Sequence, residues 1–395
     1  MKKLLAVIFA FTTLLLCVSL CSCAKTPTEG LSYKLLEDKT YEVSVGKATT
    51  LEEIVIPGEY KGAPVTKIAD MGFKGCGDLK TLYISSGVIE IGAFAFYDCD
   101  SLEEVTLPKT LTDIKESAFE MCKDLEEINF PKSLKTIGAF AFASCTSLEE
   151  IEIKEEIKTI QDAAFSGCTD LKTVEISENL SSMGSAVFAD CTSIESITLP
   201  FIGSYAKDGE NTFKYVFDGV VPESVKTVKI LGGRIGEGAF KNIKTIETIE
   251  IADGITAISK SAFDGCTGIK FNEYKNALYV GNSKNPYVAL LQAKSKDIKS
   301  CKIAKGTRVI CKEAFEGCTN LEEIKLTSKV MIVEEEAFNG CKNLKEIYIP
   351  ESVTTIGEDA FDGCMRLTVH CEAEREPRDW SKDWNPLNRP VVWNE

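Results

Sequence analysis

The sequence predicts a curved, right-handed solenoid of short stacked coils, and three observations predict it. Phenylalanine recurs every twenty-three residues at Phe73, Phe96, Phe119, Phe142, Phe165 and Phe188, resumes at Phe240 and Phe263, and returns at Phe315, Phe338 and Phe361. A cysteine follows three places after ten of the eleven, from Cys76 to Cys364, and only Ile243 breaks the column. Between successive phenylalanines runs a segment such as Leu102-Glu103-Glu104-Val105-Thr106-Leu107, in which Val105 and Leu107 alternate with a period of two. A fixed period with locked positions means stacked units that bury a shared core. The two-residue alternation marks a half-buried strand.

Taken from the start, Lys2 and Lys3 precede Leu4 to Leu20, a run free of charge, which reads as an export signal over residues 1–22. Leu20-Cys21-Ser22-Cys23 resembles a bacterial lipobox, with Cys23 as the lipidated residue. An unlipidated signal and a retained membrane anchor are the alternatives. Residues 23–30 form the lipidated cysteine and a flexible tether, and residues 31–64 an N-terminal cap and half-repeat, with Leu31 to Leu36 and Tyr41 to Val45 as a hairpin.

The repeats proper occupy residues 65–371. Each coil reads as a leucine-rich-repeat strand ended by a proline such as Pro108, then a short apolar segment (Leu111, Ile114), then about one helical turn at Ala118-Phe119. The fold class is therefore α/β-type, with mainly short parallel strands and short helical turns. Strand starts from Leu79 to Leu367 number thirteen. Phe188 to Phe240 and Phe263 to Phe315 each span fifty-two residues, two periods plus six, so each hides one coil with an insertion, near residues 201–220 and 272–296. In both, the insertion is expected to replace the helical turn. Residues 372–395 hold all three tryptophans, Trp380, Trp384 and Trp393, as a cap over the open end, with a sugar-stacking platform as the alternative.

The segment Ile137 to Ile153, IGAFAFASCTSLEEIEI, resembles the BspA-type leucine-rich repeats of bacterial surface proteins, and the resemblance covers roughly residues 65–371. The flanking Glu53 to Ile68, Leu199 to Gly203 and Ala277 to Leu290 are similar to that family's leading half-repeat and insertions. The resemblance implies an exported scaffold, some members adhering to host or matrix proteins, but it implies no particular ligand.

A formal charge of −15 repels nucleic acid and anionic headgroups, so no nucleic-acid partner is expected and membrane contact is expected only through the lipid. Catalysis has little to draw on. The single histidine, His370, alternates outward from Val369 and Cys371 and reads as an exposed surface imidazole. Cysteines one coil apart lack the close pairs of a zinc site, so no metal and no cofactor are expected. Their column faces the core, where most are expected to be free thiols acting as small hydrophobes. Gly233, Gly236 and Gly238 fall in register with core positions and read as a turn rather than a phosphate loop.

The outward strand positions carry the candidate site. Glu104, Glu127 and Glu150 share one column, Glu152 and Glu175 the next, and Tyr348 extends the strip beside Glu323 and Glu346. The expectation is a monomeric, non-enzymatic, lipid-anchored surface protein that binds extracellular or host proteins or glycans through its concave face and insertion loops. The alternative is an envelope-structural or nutrient-capturing lipoprotein that displays the loops. Solvated side chains with no ligand are the simpler reading of the strip.

Overall fold

The computed structural model describes residues 25–154, 156–203 and 212–395; the export signal, Cys23 and part of the first insertion lie outside them. Ser32–Leu35 and Tyr41–Ser44 pair antiparallel, and the second of these joins Ala63–Ile68 in parallel. From there the chain winds through about fifteen turns of roughly twenty-three residues. The sequence count of thirteen omits the two ends. Glu53–Ile56 adds a strand before the first coil, and Val391–Trp393 adds one after the last, pairing with Thr368–Cys371.

Each coil contributes to two parallel ladders. The first holds the leucine-rich-repeat strands in three runs: Glu53–Ile56 to Glu127–Ile128, Glu150–Ile153 to Thr248–Ile258, and Ser300–Lys302 to Val391–Trp393. The second holds two-residue strands such as Asp113–Ile114 and Thr136–Ile137, one per coil. Inward residues of both ladders are buried, as at Ile151, Ile153 and Ile160, while the outward ones alternate to solvent. That alternation is what a period of two requires of a sheet with one dry face.

The third side of each coil turns around its phenylalanine. The rings stack with centroids 5.1 Å apart at Phe96 and Phe119 and 5.3 Å apart at Phe119 and Phe142 and at Phe142 and Phe165. No regular α-helix forms there; among the described residues the helical segments are the 3₁₀ turns Phe213–Phe217 and Lys260–Phe263. In most coils the residue two before the phenylalanine and the one two after it are left-handed, as at Phe140 (φ 55°) and Ser144 (φ 59°). This alternation points every second N–H along the stack. Phe140, Phe142 and Ser144 donate to the carbonyls of Asp162, Ala164 and Ser166 at 3.0, 2.8 and 2.7 Å, and the same triple bond pattern recurs from coil to coil.

The cysteine column does more than fill space. The thirteen described cysteines are free and buried. Eight of them donate S–H to the phenylalanine carbonyl of the preceding coil, for example Cys145 to Phe119 O at 3.2 Å. Burial holds the Cys122 and Cys145 thiols well above the ordinary cysteine range.

The insertions behave differently from one another. In the first, Phe213 and Phe217 of the 3₁₀ turn carry the ring stack across, 5.0 Å from Phe240 and 6.4 Å from Phe188 respectively. The second does not replace a turn. Asn272–Tyr274, Ala277–Val280 and Ala289–Ala293 form an antiparallel sheet that feeds directly into the second ladder at Val309–Ile310, with Tyr279 fully buried.

Around this sheet the core divides into two overlapping bodies, one from Val43 to Cys311 and one from Ala277 to Trp384. Ion pairs cross the join: Lys260 to Glu313 at 2.8 Å, Lys312 to Glu237 at 2.9 Å and to Glu335 at 3.3 Å, and Arg308 to Asp253 at 2.9 Å. At the far end Trp380 and Trp384 are buried, Trp384 lying edge-on to Phe361 at 5.8 Å. Those two indoles face the core, so neither offers a sugar-stacking surface.

Candidate binding face

Outward residues of the first ladder form columns because parallel strands repeat at about 4.8 Å and a coil always presents the same positions. Glu104 and Glu127 are direct neighbours in register, and so are Glu152 and Glu175. Glu150 holds the same position one coil after Glu127, but the strand hydrogen bonding does not run through to it. The ladder breaks between Glu127–Ile128 and Glu150–Ile153, and Glu150 starts a new run with Thr173 as its neighbour. Phe130 stands at the break, in the inner slot that Ile153 holds one coil later, and its ring lies edge-on to Phe142 and Phe165 at 5.6 and 6.3 Å.

All five carboxylates are exposed. Glu152 is answered by Lys154 at 2.7 Å, and Glu127 accepts from Asn129 at 2.6 Å. Glu104, Glu150 and Glu175 make no ion pair or side-chain hydrogen bond among the described residues. The next position toward the strand start behaves otherwise: Lys172 pairs with Glu149 and Lys345 with Glu322, each at 2.8 Å. Two exposed charges about 5 Å apart in water repel by about 1 kcal/mol, and facing like charges on a sheet are mildly destabilising. Three of the five glutamates thus stay unpaired among the described residues and would gain from a basic partner.

The other end of the face has a different character. Lys302, Lys325, Tyr348 and His370 are successive neighbours in one column. Tyr348 is exposed on one side and stacks on the His370 ring on the other, with centroids 4.6 Å apart and 15° between planes. His370 is not the open surface imidazole expected: its side chain is 12% exposed and its Nδ1 lies 2.6 Å from Glu395 Oε2. The added end strand and Tyr348 cover it. A groove of about 840 Å³ runs past Lys302, Glu323, Lys325, Glu346 and Tyr348. Tyr348 and the five glutamates thus lie on one ladder face but not in one contiguous cluster. The groove escaped sequence reasoning because its width is set by neighbouring coils and not by local pattern.

Among the described residues no cluster of histidine, cysteine or acidic side chains could hold a metal ion, and no helix is long and apolar enough to cross a membrane.

Comparison with known proteins places the repeats. A family model for the BspA type leucine rich repeat region matches in six copies, over residues 46–154, 89–218, 135–270 and 292–371. Among solved structures, a leucine-rich repeat protein from Bacteroides ovatus is 25% identical, covering 94% of this chain and 100% of its own, with a TM-score of 0.43. A leucine rich cell surface protein from Faecalibacterium prausnitzii is 21% identical over 94% of this chain and 97% of its own (TM-score 0.41). The leucine rich repeat protein of T. pallidum is 23% identical over 62% and 90%, with a TM-score of 0.37. No curated protein matches.

Proposed function

Because the chain belongs to the BspA-type leucine-rich-repeat family, we propose that it is a non-enzymatic scaffold that binds extracellular proteins through its strand face, tethered outside the cell by a lipid on Cys23. The observation that carries this reading is the set of three unpaired glutamates in the strip. Glu104, Glu150 and Glu175 project from the ladder without an ion pair or side-chain hydrogen bond among the described residues, on the surface that the leucine-rich-repeat architecture leaves open on its concave side. Such a surface favours a partner whose lysines and arginines meet the strip, with electrostatics contributing on-rate and selectivity more than raw affinity. Display of insertion loops is the weaker reading, since the second insertion is built into the fold as sheet.

The test is a binding screen of the purified protein against extracellular-matrix proteins, mucins and cell-wall glycans. A saturable protein hit that weakens at least tenfold in the Glu104→Gln, Glu127→Gln, Glu150→Gln triple variant, and weakens further with salt, supports the assignment. A hit on glycans alone, or one indifferent to the triple variant, overturns it. Metabolic labelling with a palmitate analogue, compared with Cys23→Ala, reads the anchor separately.

A further inference from the structure

Away from the strand face, a cleft of about 770 Å³ lies between the far ends of the two long strands, Thr227–Ile235 and Thr248–Ile258, and the second-ladder strands Ile332–Val333 and Thr355–Ile356. Arg234, Ala257, Ile332, Glu334 and Glu358 line it. Glu334 occupies a column that other coils keep small or send to solvent. Gly138, Gly184 and Gly357 stand there, and a Cβ at any of them would meet the neighbouring coil's backbone at 2.3–2.5 Å. Gln161 takes the same place in an intervening coil and is exposed.

Glu334 is only 9% exposed, because the ends of the two long strands close over it. Its carboxylate makes no hydrogen bond and no ion pair among the described residues. The charged groups around it do not answer it. Lys312 is held by Glu237 and Glu335, Arg234 bonds to neither, and Glu358 makes no ion pair among the described residues. Burial pushes Glu334 up to about 7, against the opposing pull of Arg234 and Lys312 and with a further push from Glu335. The Cys311 thiol is raised by burial first and by Glu334 second. Recessing a charged group without a partner is costly, and the Glu334 oxygens are not sealed in the core but keep contact with the cleft, open to a donor that enters it.

We propose that this cleft is a second binding site, which takes a ligand by an ammonium group held on Glu334. An ammonium is a compact charge with three donors and suits one recessed carboxylate, whereas a guanidinium presents a flat fork and is best matched bidentately. Two sources share this chemistry: a lysine side chain of a bound protein, and a free α-amino acid whose carboxylate would reach Arg234. The site is independent of the strand face and stands or falls without it.

Calorimetric titration of the purified full chain with Nα-acetyl-lysine methylamide and with L-alanine tests the idea. At least one probe is expected to bind, about tenfold more tightly at about pH 8 than at about pH 6, since the ionised fraction of Glu334 rises from about a tenth to about nine-tenths around its value of about 7. Glu334→Gln, which removes the charge and keeps the shape, should cut that affinity at least tenfold. Binding of the lysine derivative assigns the protein source. Binding of alanine alone, lost in Arg234→Gln, assigns the free amino acid. Absence of binding by both probes, or equal binding by Glu334→Gln, overturns the site.

Discussion

Phe140 and Phe142 are two places apart in one turn, and replacing each by alanine should give opposite results. Phe142 is fully buried, stacked on Phe119 and Phe165 at 5.3 Å each and met edge-on by Phe130. Truncating such a ring typically costs about 3–5 kcal/mol, and ring pairs contribute about 0.5–1.5 kcal/mol each beyond their area, so the loss belongs at the upper end, about 4–5 kcal/mol. Neighbouring coils cannot collapse into the gap without breaking the bonds Phe142 N–H and Ser144 N–H make to the next coil. Phe140 is 43% exposed and sits at φ 55°, a conformation alanine tolerates no worse than phenylalanine, so its truncation should stay within about 0.5–1 kcal/mol. The assay is urea unfolding followed by circular dichroism, both variants against the parent in one buffer. Because coils couple chiefly to their neighbours, the Phe142→Ala transition should also broaden or split. Equal midpoints for the two variants, or a Phe142→Ala loss below about 2 kcal/mol, would refute the claim that the ring stack holds adjacent coils together.

Further outcomes follow from the same geometry. Glu334 has a folded-state value raised above its unfolded one, so the folded protein holds an extra proton between about pH 4.5 and about pH 7. Stability should therefore fall by up to about 3 kcal/mol as pH rises through that window. Glu334→Gln should flatten this slope, and an unchanged slope in urea midpoints would contradict the assignment. Gly138→Ala places a Cβ 2.5 Å from the Lys115 carbonyl carbon and should cost about 1–3 kcal/mol in the same assay. Cys145→Ala removes a donor to Phe119 and part of the packing at a fully buried site, for about 1–2 kcal/mol in thermal or urea unfolding. A thiol reagent should label the native protein far more slowly than the urea-unfolded one, given that the described cysteines are buried; rapid labelling of several would rule that out.

The period carried most of the architecture because each coil solves the same burial problem with the same residues. Phe96 predicts Phe119, and Val105 and Leu107 predict an inward-facing strand. What was not legible depends on contacts between coils. Glycine marks the left-handed position after some rings, as at Gly75 and Gly167, but the one before the ring is held by Phe94, Ser117, Phe140 and Ala163, residues that do not announce it and are set by hydrogen bonds to the following coil. The thiols read as small hydrophobes, and their role as donors to Phe119 or Phe142 needs the neighbouring backbone. The break after Ile128 interrupts the strand hydrogen bonding beneath a column of charges whose spacing gives no sign of it. The burial of Glu334 leaves no local mark in the sequence, since it comes from Arg234 and Ala257, 100 and 77 residues earlier. The end strands stay outside the count of thirteen because Glu53–Ile56, read as part of a half-repeat, and Val391–Trp393, read as part of a cap, lack the phenylalanine that marks a coil.

The bonds that link one phenylalanine turn to the next, three in each regular coil, all run the same way, N–H toward the later coil and C=O toward the earlier. Aligned peptide units add their dipoles, as they do along an α-helix. This side of the solenoid is therefore polarised lengthwise, with partial positive charge accumulating at its later end and negative at its earlier one. The last turn meets that polarity with the tail, where Asp359 N–H donates to the Asp383 carbonyl at 2.9 Å. A stack so directed has unlike ends: a further coil could extend the later one only by presenting carbonyls, and the earlier one only by presenting N–H groups.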